Sequence, residues 1–125
     1  MQATRRARLQ SVIQQELSRV VSREVKDPRV PPVTFTQVEV TFDGGQATVY
    51  VSILGGARAG MQGSPELSEK EGMLRMKGCL DGLTSASGYL RRHLASVLNT
   101  RQVPTLIFRE DKGLENSNRV FDLLK

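Results

Sequence analysis

Hydrophobic residues recur along the first half of the chain at two different spacings, and each spacing predicts a different element. From about Thr4 to Val25 they return every three or four residues, as in an amphipathic helix, at Leu9, Val12, Ile13, Leu17, Val20 and Val21. Two later stretches, Val33 to Phe42 and Ala47 to Leu54, are rich in strand-forming residues and alternate apolar with polar positions. The turn sequence DGGQ at 43–46 lies between them, so a β-hairpin is predicted.

The helical spacing returns in the second half of the chain and is interrupted once. One helix is predicted to start at Ser64-Pro65-Glu66 and to run to Ser85, and another to run from Tyr89 to Asn99. Between them lie Ala86, Ser87 and Gly88. A glycine here weakens helix continuity and lets backbones approach closely, and Ser87 can cap the second helix. We therefore expect a kinked or broken helix pair with free N–H groups at the break. A strand from Thr105 to Arg109 and a short helix from Gly113 to Leu124 complete the pattern.

The order of these elements predicts one α+β domain that covers residues 1–125. A hairpin gains a third strand after a helical crossover, so we expect a three-stranded sheet with helices on one face and a short C-terminal helix. The side chains predicted to point inward include Val38, Val40 and Phe42 in the first strand. In the second helix they are Leu67, Met73, Leu74, Met76, Leu80 and Leu83. Cys79 lies among these apolar positions and is expected to be a buried core thiol.

The charge of the chain is positive and unevenly distributed. Its 125 residues include 18 Lys and Arg against 13 Asp and Glu, a net charge of +5. Residues 1–29 carry seven basic and three acidic groups, and residues 88–102 carry three basic groups and no acidic one. If the fold brings these segments together they form one positive face, as in a nucleic-acid-binding protein, although acidic proteins and lipids also bind such faces. Arg5, Arg8, Arg19 and Arg23 fall along one edge of the first helix, where an ordinary solvated face is the alternative interpretation.

The composition offers little material for catalysis or metal binding. Cys79 is the only cysteine and His93 the only histidine, so the chain has almost no residues from which to build a metal cluster or a catalytic triad. Asp27, Glu39 and Asp81 show no spacing that implies a shared acid/base site. No apolar run approaches the roughly 20 residues that cross a bilayer. We therefore expect a soluble cytoplasmic protein that is not an enzyme and has no cofactor, metal or membrane partner.

The element order resembles that of a type II KH domain, an RNA-binding module. At the level of residues the chain resembles the ribosome-binding factor A family, the bacterial assembly factors of the small ribosomal subunit. The matching stretches are EVKDPR (24–29), VEV (38–40), ATVYVS (47–52), ASGYLR (86–91), RQVPTLIF (101–108) and RVFDLL (119–124). Taken together in this order and spacing, these stretches extend over nearly the whole chain.

This resemblance implies a KH-like fold in which a helix–kink–helix at Ala86, Ser87 and Gly88 replaces the GxxG clamp of KH domains. The chain does spell GxxG at 60–63, but between a strand and a helix, whereas the clamp joins two helices, so we interpret it as a loop. The resemblance also implies a non-enzymatic role: binding free immature 30S subunits and assisting maturation of the 16S rRNA precursor, including growth in the cold.

 The implied partners are therefore the small ribosomal subunit and its 16S rRNA, bound by a monomer.

The predicted RNA-binding residues combine the basic segments with the break between the helices. Phosphate contacts from arginines on the first and third helices would position the protein on folded RNA. Aromatic residues make up only 5% of the chain, so recognition of RNA shape and backbone is favoured over stacking of single-stranded bases. The alternative is a KH-like protein-interaction module that docks an acidic protein partner. The predicted set is Arg5, Arg8, Lys26, Arg29, Ala86, Ser87, Gly88, Arg91, Arg92 and Arg101.

Overall fold

The computed structural model describes residues 3–60, 65–98 and 102–112. Within these ranges the chain forms three helices and three strands in the predicted order. They are α1 (Ala3–Glu24), β1 (Val33–Val40), β2 (Gln46–Ile53), α2 (Glu69–Ser85), α3 (Ser87–Leu98) and β3 (Thr105–Glu110). The predicted C-terminal helix at 113–124 and most of the GxxG sequence at 60–63 lie outside the described residues.

The three strands form one sheet in the order β1-β2-β3. β1 and β2 are antiparallel, with Val40 opposite Ala47, and their register shifts at a bulge between Phe35 and Gln37. β3 pairs with β2 in parallel, with Gln46 opposite Thr105. Because parallel neighbours need a long crossover, α2 and α3 carry the chain from one end of the sheet back to the other.

The hydrophobic core lies between one face of the sheet and the helices. α1 packs on β1, and α2 and α3 pack on β3. The predicted α+β arrangement with helices on one face is therefore confirmed, and Cys79 is fully buried, as predicted. The buried residues that line this core include Ile13, Leu17, Val38, Val40, Val49, Val51, Met76, Leu83, Leu90, Leu94, Leu106 and Phe108.

The predicted start of α2 is wrong by several residues. The helix begins at Glu69 behind Ser68, whose side chain accepts a hydrogen bond from the Glu71 N–H, while the Glu71 side chain accepts from the Ser68 N–H. This capping box defines the first turn. The residues before it are held outside the helix because the Leu67 N–H donates to the Arg58 carbonyl at 2.8 Å and Arg58 Nε donates to the Leu67 carbonyl at 3.0 Å.

Three side chains that were predicted to point inward are exposed. Met73 and Leu74 are 69% and 59% exposed, because α2 faces the sheet along the row Gly72, Met76, Cys79 and Leu83. Phe42 is 73% exposed, because β1 ends at Val40 and the chain turns there.

Candidate nucleic-acid interface

The helices α1 and α3 lie side by side and run in opposite directions. Near the end of α1, the Tyr89 hydroxyl donates a hydrogen bond to the Glu24 carboxylate. Midway along the pair, His93 Nε2 lies 2.9 Å from Glu16 Oε2, so the side chain of His93 has a hydrogen-bond partner at the edge of the core. At the other end, Leu98 lines a hollow together with residues of the first turns of α1. The fold therefore brings the two basic segments of the sequence together.

The arginine edge predicted for α1 lies on the exposed side of this helix pair. Arg5, Arg8, Arg19 and Arg23 are exposed and fall within one narrow sector of the helix, next to the side that carries Glu16. Arg92 is exposed on the outer side of α3, one turn of helix from Tyr89. These five arginines are called the α1–α3 face below.

The described arginines divide into those that are bonded within the protein and those that are not. Six of them donate to a carbonyl or carboxylate oxygen: Arg6, Arg19, Arg29, Arg58, Arg75 and Arg91. The other five have no hydrogen bond or ion pair within the described part of the chain: Arg5, Arg8, Arg23, Arg92 and Arg109. Four of these five belong to the α1–α3 face. An unbonded guanidinium keeps its donors available for bidentate contact with a phosphate.

The break between α2 and α3 is confirmed, but it lies one residue earlier than the capping prediction placed it. Ala86 is the interrupting residue, with φ −85° and ψ −3°, and its N–H donates to the carbonyls of Gly82 and Leu83. Ser87 is the first residue of α3 rather than its cap, and the Leu90 N–H donates to the Ala86 carbonyl at 3.0 Å. The first N–H groups of a helix have no partner within that helix.

The close backbone approach expected at Gly88 occurs instead at Gly82. A Cβ atom on Gly88 would meet nothing within 4 Å, whereas one on Gly82 would lie 2.6 Å from Val30 Cγ2 and 3.2 Å from Asp27 Oδ2. The loop that follows α1 therefore rests directly on the last turns of α2, beside the break.

This loop is braced by Arg29. The Asp27 carboxylate accepts hydrogen bonds from the Arg29 backbone N–H at 2.9 Å and from its side chain at 2.7–3.2 Å. The side-chain bonds first, and then the backbone bond, lower the pKa of Asp27 to about 2. Arg29 Nη2 also lies 3.4 Å from Ser85 Oγ, which ties the loop to the end of α2.

Lys26 lies next to the break, in a shallow hollow of about 320 Å³. Ala86 and Tyr89 line the same hollow, but so do Glu24 and Asp27. The two carboxylates make the electrostatic potential beside the break less favourable to an anion.

The remaining predicted site residues divide between the two sides of α3. Arg91 donates to the Val103 carbonyl at 3.0 Å and to the Pro104 carbonyl at 3.2 Å, so it holds the segment that leads into β3. Arg92 lies on the α1–α3 face, whereas Arg101 lies outside the described residues.

Arg23 was placed on the arginine edge from the sequence but was left out of the predicted site. Its helical spacing from Arg5, Arg8 and Arg19 was the signal that could have included it.

The fold and this surface define a KH-like α+β domain with a basic face on two antiparallel helices. The family model that describes ribosome-binding factor A matches residues 5–124. The chain belongs to the ribosome-binding factor A family.

Relatives of known sequence and structure agree with this assignment. A ribosome-binding factor A from Brevibacillus brevis is 37% identical over 125 residues, which are 100% of this chain and 90% of that protein. A solution structure of a putative ribosome binding factor A from Thermotoga maritima has a TM-score of 0.67 and 33% identity, covering 90% of this chain and 92% of that one. The crystal structure of ribosome-binding factor A from Thermus thermophilus has a TM-score of 0.61 and 24% identity, over 84% of this chain and 94% of that one, and shows the shared fold.

None of the helices in the described part of the chain is long and apolar enough to span a membrane.

Proposed function

We propose that this protein binds free immature small (30S) ribosomal subunits through their 16S rRNA and assists processing and maturation of that rRNA, including during growth in the cold. The observation that carries the proposal is the α1–α3 face, where four exposed arginines have no partner in the described structure. Membership of the ribosome-binding factor A family supports the choice of the ribosome as the partner. The action is binding rather than catalysis, by a single-domain monomer in the cytoplasm.

Phosphate contacts are the physical basis of this binding. Arg5, Arg8, Arg23 and Arg92 present their guanidinium groups along one side of the helix pair, so they can follow the backbone of a folded RNA. Such contacts fix position and orientation without reading sequence. A protein that binds one rRNA conformation more tightly than another shifts the population towards the first. Assistance in maturation follows from this selection and requires no chemical step.

The other predicted residues support this face in different ways. Arg29 and Arg91 hold the loop after α1 and the segment before β3, so they position the face rather than bind the RNA. Lys26 lines a hollow together with Ala86, so it adds positive charge beside the start of α3 at Ser87 and Gly88.

The first test is co-sedimentation of the purified protein with separated small subunits, large subunits and whole ribosomes across a salt series. We expect binding to free small subunits. Four phosphate contacts predict a slope of log affinity against log salt of about −2.8 to −3.6. Equal binding to large subunits, or none to small subunits, would contradict the proposal. Binding that survives digestion of the rRNA would instead favour an acidic protein partner.

A further inference from the structure

A second feature of the helix pair lies at the end farthest from the break. A hollow of about 430 Å³ opens between the first turns of α1 and the last turn of α3. Its floor is apolar and half-buried and consists of Leu9, Val12 and Leu98. Arg5 and Arg8 line it from α1, and the Asp43–Gly44 turn and Gln102 complete its wall.

The positive charge of this hollow is available to a ligand. Arg5 and Arg8 are exposed and have no hydrogen bond or ion pair within the described residues. Among the described residues of the lining Asp43 is the only acidic one, and its carboxylate accepts hydrogen bonds from the Thr41 hydroxyl at 2.7 Å and from the Gly45 N–H at 3.0 Å. The carboxylate of Asp43 is thus hydrogen-bonded within its own turn and makes no ion pair with Arg5 or Arg8.

An apolar floor beside two guanidinium groups fits a ligand that joins a flat, weakly polar group to an anion. A nucleotide has this composition, because its base contacts apolar surface or an arginine plane while its phosphate accepts from arginine. An acidic peptide supplies the anion without the flat group.

From this geometry we infer that the hollow binds one unpaired nucleotide of the rRNA, with its base on the floor and its phosphate between Arg5 and Arg8. The inference rests on the proposed function. The hollow continues the α1–α3 face, and the distance from Arg5 to Arg23 along α1 is about 27 Å at 1.5 Å per residue. One RNA segment can therefore contact the arginines along the helix and place a base in the hollow.

This arrangement makes binding sensitive to the state of the RNA. A base that is stacked and paired in a duplex cannot enter the hollow, because its faces are covered by its neighbours. Pairing of this nucleotide as the rRNA matures would remove it from the protein and favour release.

The test compares Val12→Gln with Ser11→Gln in the salt series with small subunits. Gln keeps the helix but makes the floor polar, and Ser11 is an exposed neighbour on the same helix. We expect Val12→Gln to weaken binding about tenfold with an unchanged salt slope, because a polar floor removes apolar surface that the base would bury. Arg5→Gln with Arg8→Gln should instead reduce the slope by about 1.4–1.8. Ser11→Gln should bind as the wild type does.

A photo-crosslinker placed at position 12 identifies the occupant directly, with circular dichroism as the check on folding. An adduct with a nucleotide supports the inference, whereas an adduct with a ribosomal protein, or none, overturns it. Wild-type binding combined with full binding by Val12→Gln also overturns the inference and leaves the proposed function standing. If the wild-type protein did not bind small subunits, both this inference and the proposed function would be contradicted.

Discussion

Replacement of Gly82 by alanine tests the packing that holds the loop after α1 against α2. The new Cβ would lie 2.6 Å from Val30 Cγ2, well inside van der Waals contact, and Val30 is a half-buried, β-branched residue with little rotamer freedom. Overpacking of this kind costs about 1–3 kcal/mol. The better helix propensity of alanine offsets about 1 kcal/mol of that.

Gly78 supplies a matched control on the same helix. A Cβ there would lie 3.9 Å from Arg29 Cβ, which is an ordinary contact, so Gly78→Ala should raise the free energy of unfolding by up to about 1 kcal/mol. The two variants should therefore differ by about 1–3 kcal/mol in urea unfolding, with Gly82→Ala the less stable. An equal or higher urea midpoint for Gly82→Ala would refute the reasoning.

Three further predictions concern groups bonded or buried in the fold. Arg91→Gln should lower the free energy of unfolding by about 1 kcal/mol, because the carbonyls of Val103 and Pro104 lose their donor. The control Arg92→Gln should change the free energy of unfolding by less than about 0.5 kcal/mol, and urea unfolding of both variants measures the difference. Because Arg29 lowers the pKa of Asp27 from 3.8 to about 2, the stability contributed by the ionised carboxylate is complete above pH 3.8 and is lost as the pH falls through 2. Asp27→Asn should flatten the fall of the urea midpoint over that window, and an unchanged profile would contradict this. Burial raises the pKa of Cys79 to about 11, so a thiol reagent at pH 8 should label Cys79 only as fast as the protein opens, and fast labelling of the folded protein would contradict its burial.

The order of the elements could be predicted because hydrophobic spacing reports the helix and strand periods directly. α1 was predicted from Thr4 to Val25 and runs from Ala3 to Glu24. The start of α2 could not be predicted in the same way. The paired hydrogen bonds between Arg58 and Leu67 are tertiary contacts, and periodicity does not report them.

The positive face could be predicted from segmental charge, but not which arginines are available on it. Arg91 is bonded to carbonyls 12 and 13 residues away, and Arg29 reaches Ser85, which is 56 residues away. Only the folded chain shows that these two are engaged while Arg23 and Arg92 are not. Exposure of Met73 has a similar cause, since the face that α2 buries is fixed by its packing on β3.

The most direct test of the α1–α3 face compares two double variants that lose the same charge. Arg23→Gln with Arg92→Gln removes two arginines of the face, whereas Lys77→Gln with Arg109→Gln removes two exposed charges on α2 and the outer side of the sheet. The measurement is the salt dependence of binding to free small subunits. We predict that the first pair reduces the slope by about 1.4–1.8 and that the second leaves it unchanged. Equal slopes for the two double variants would contradict it.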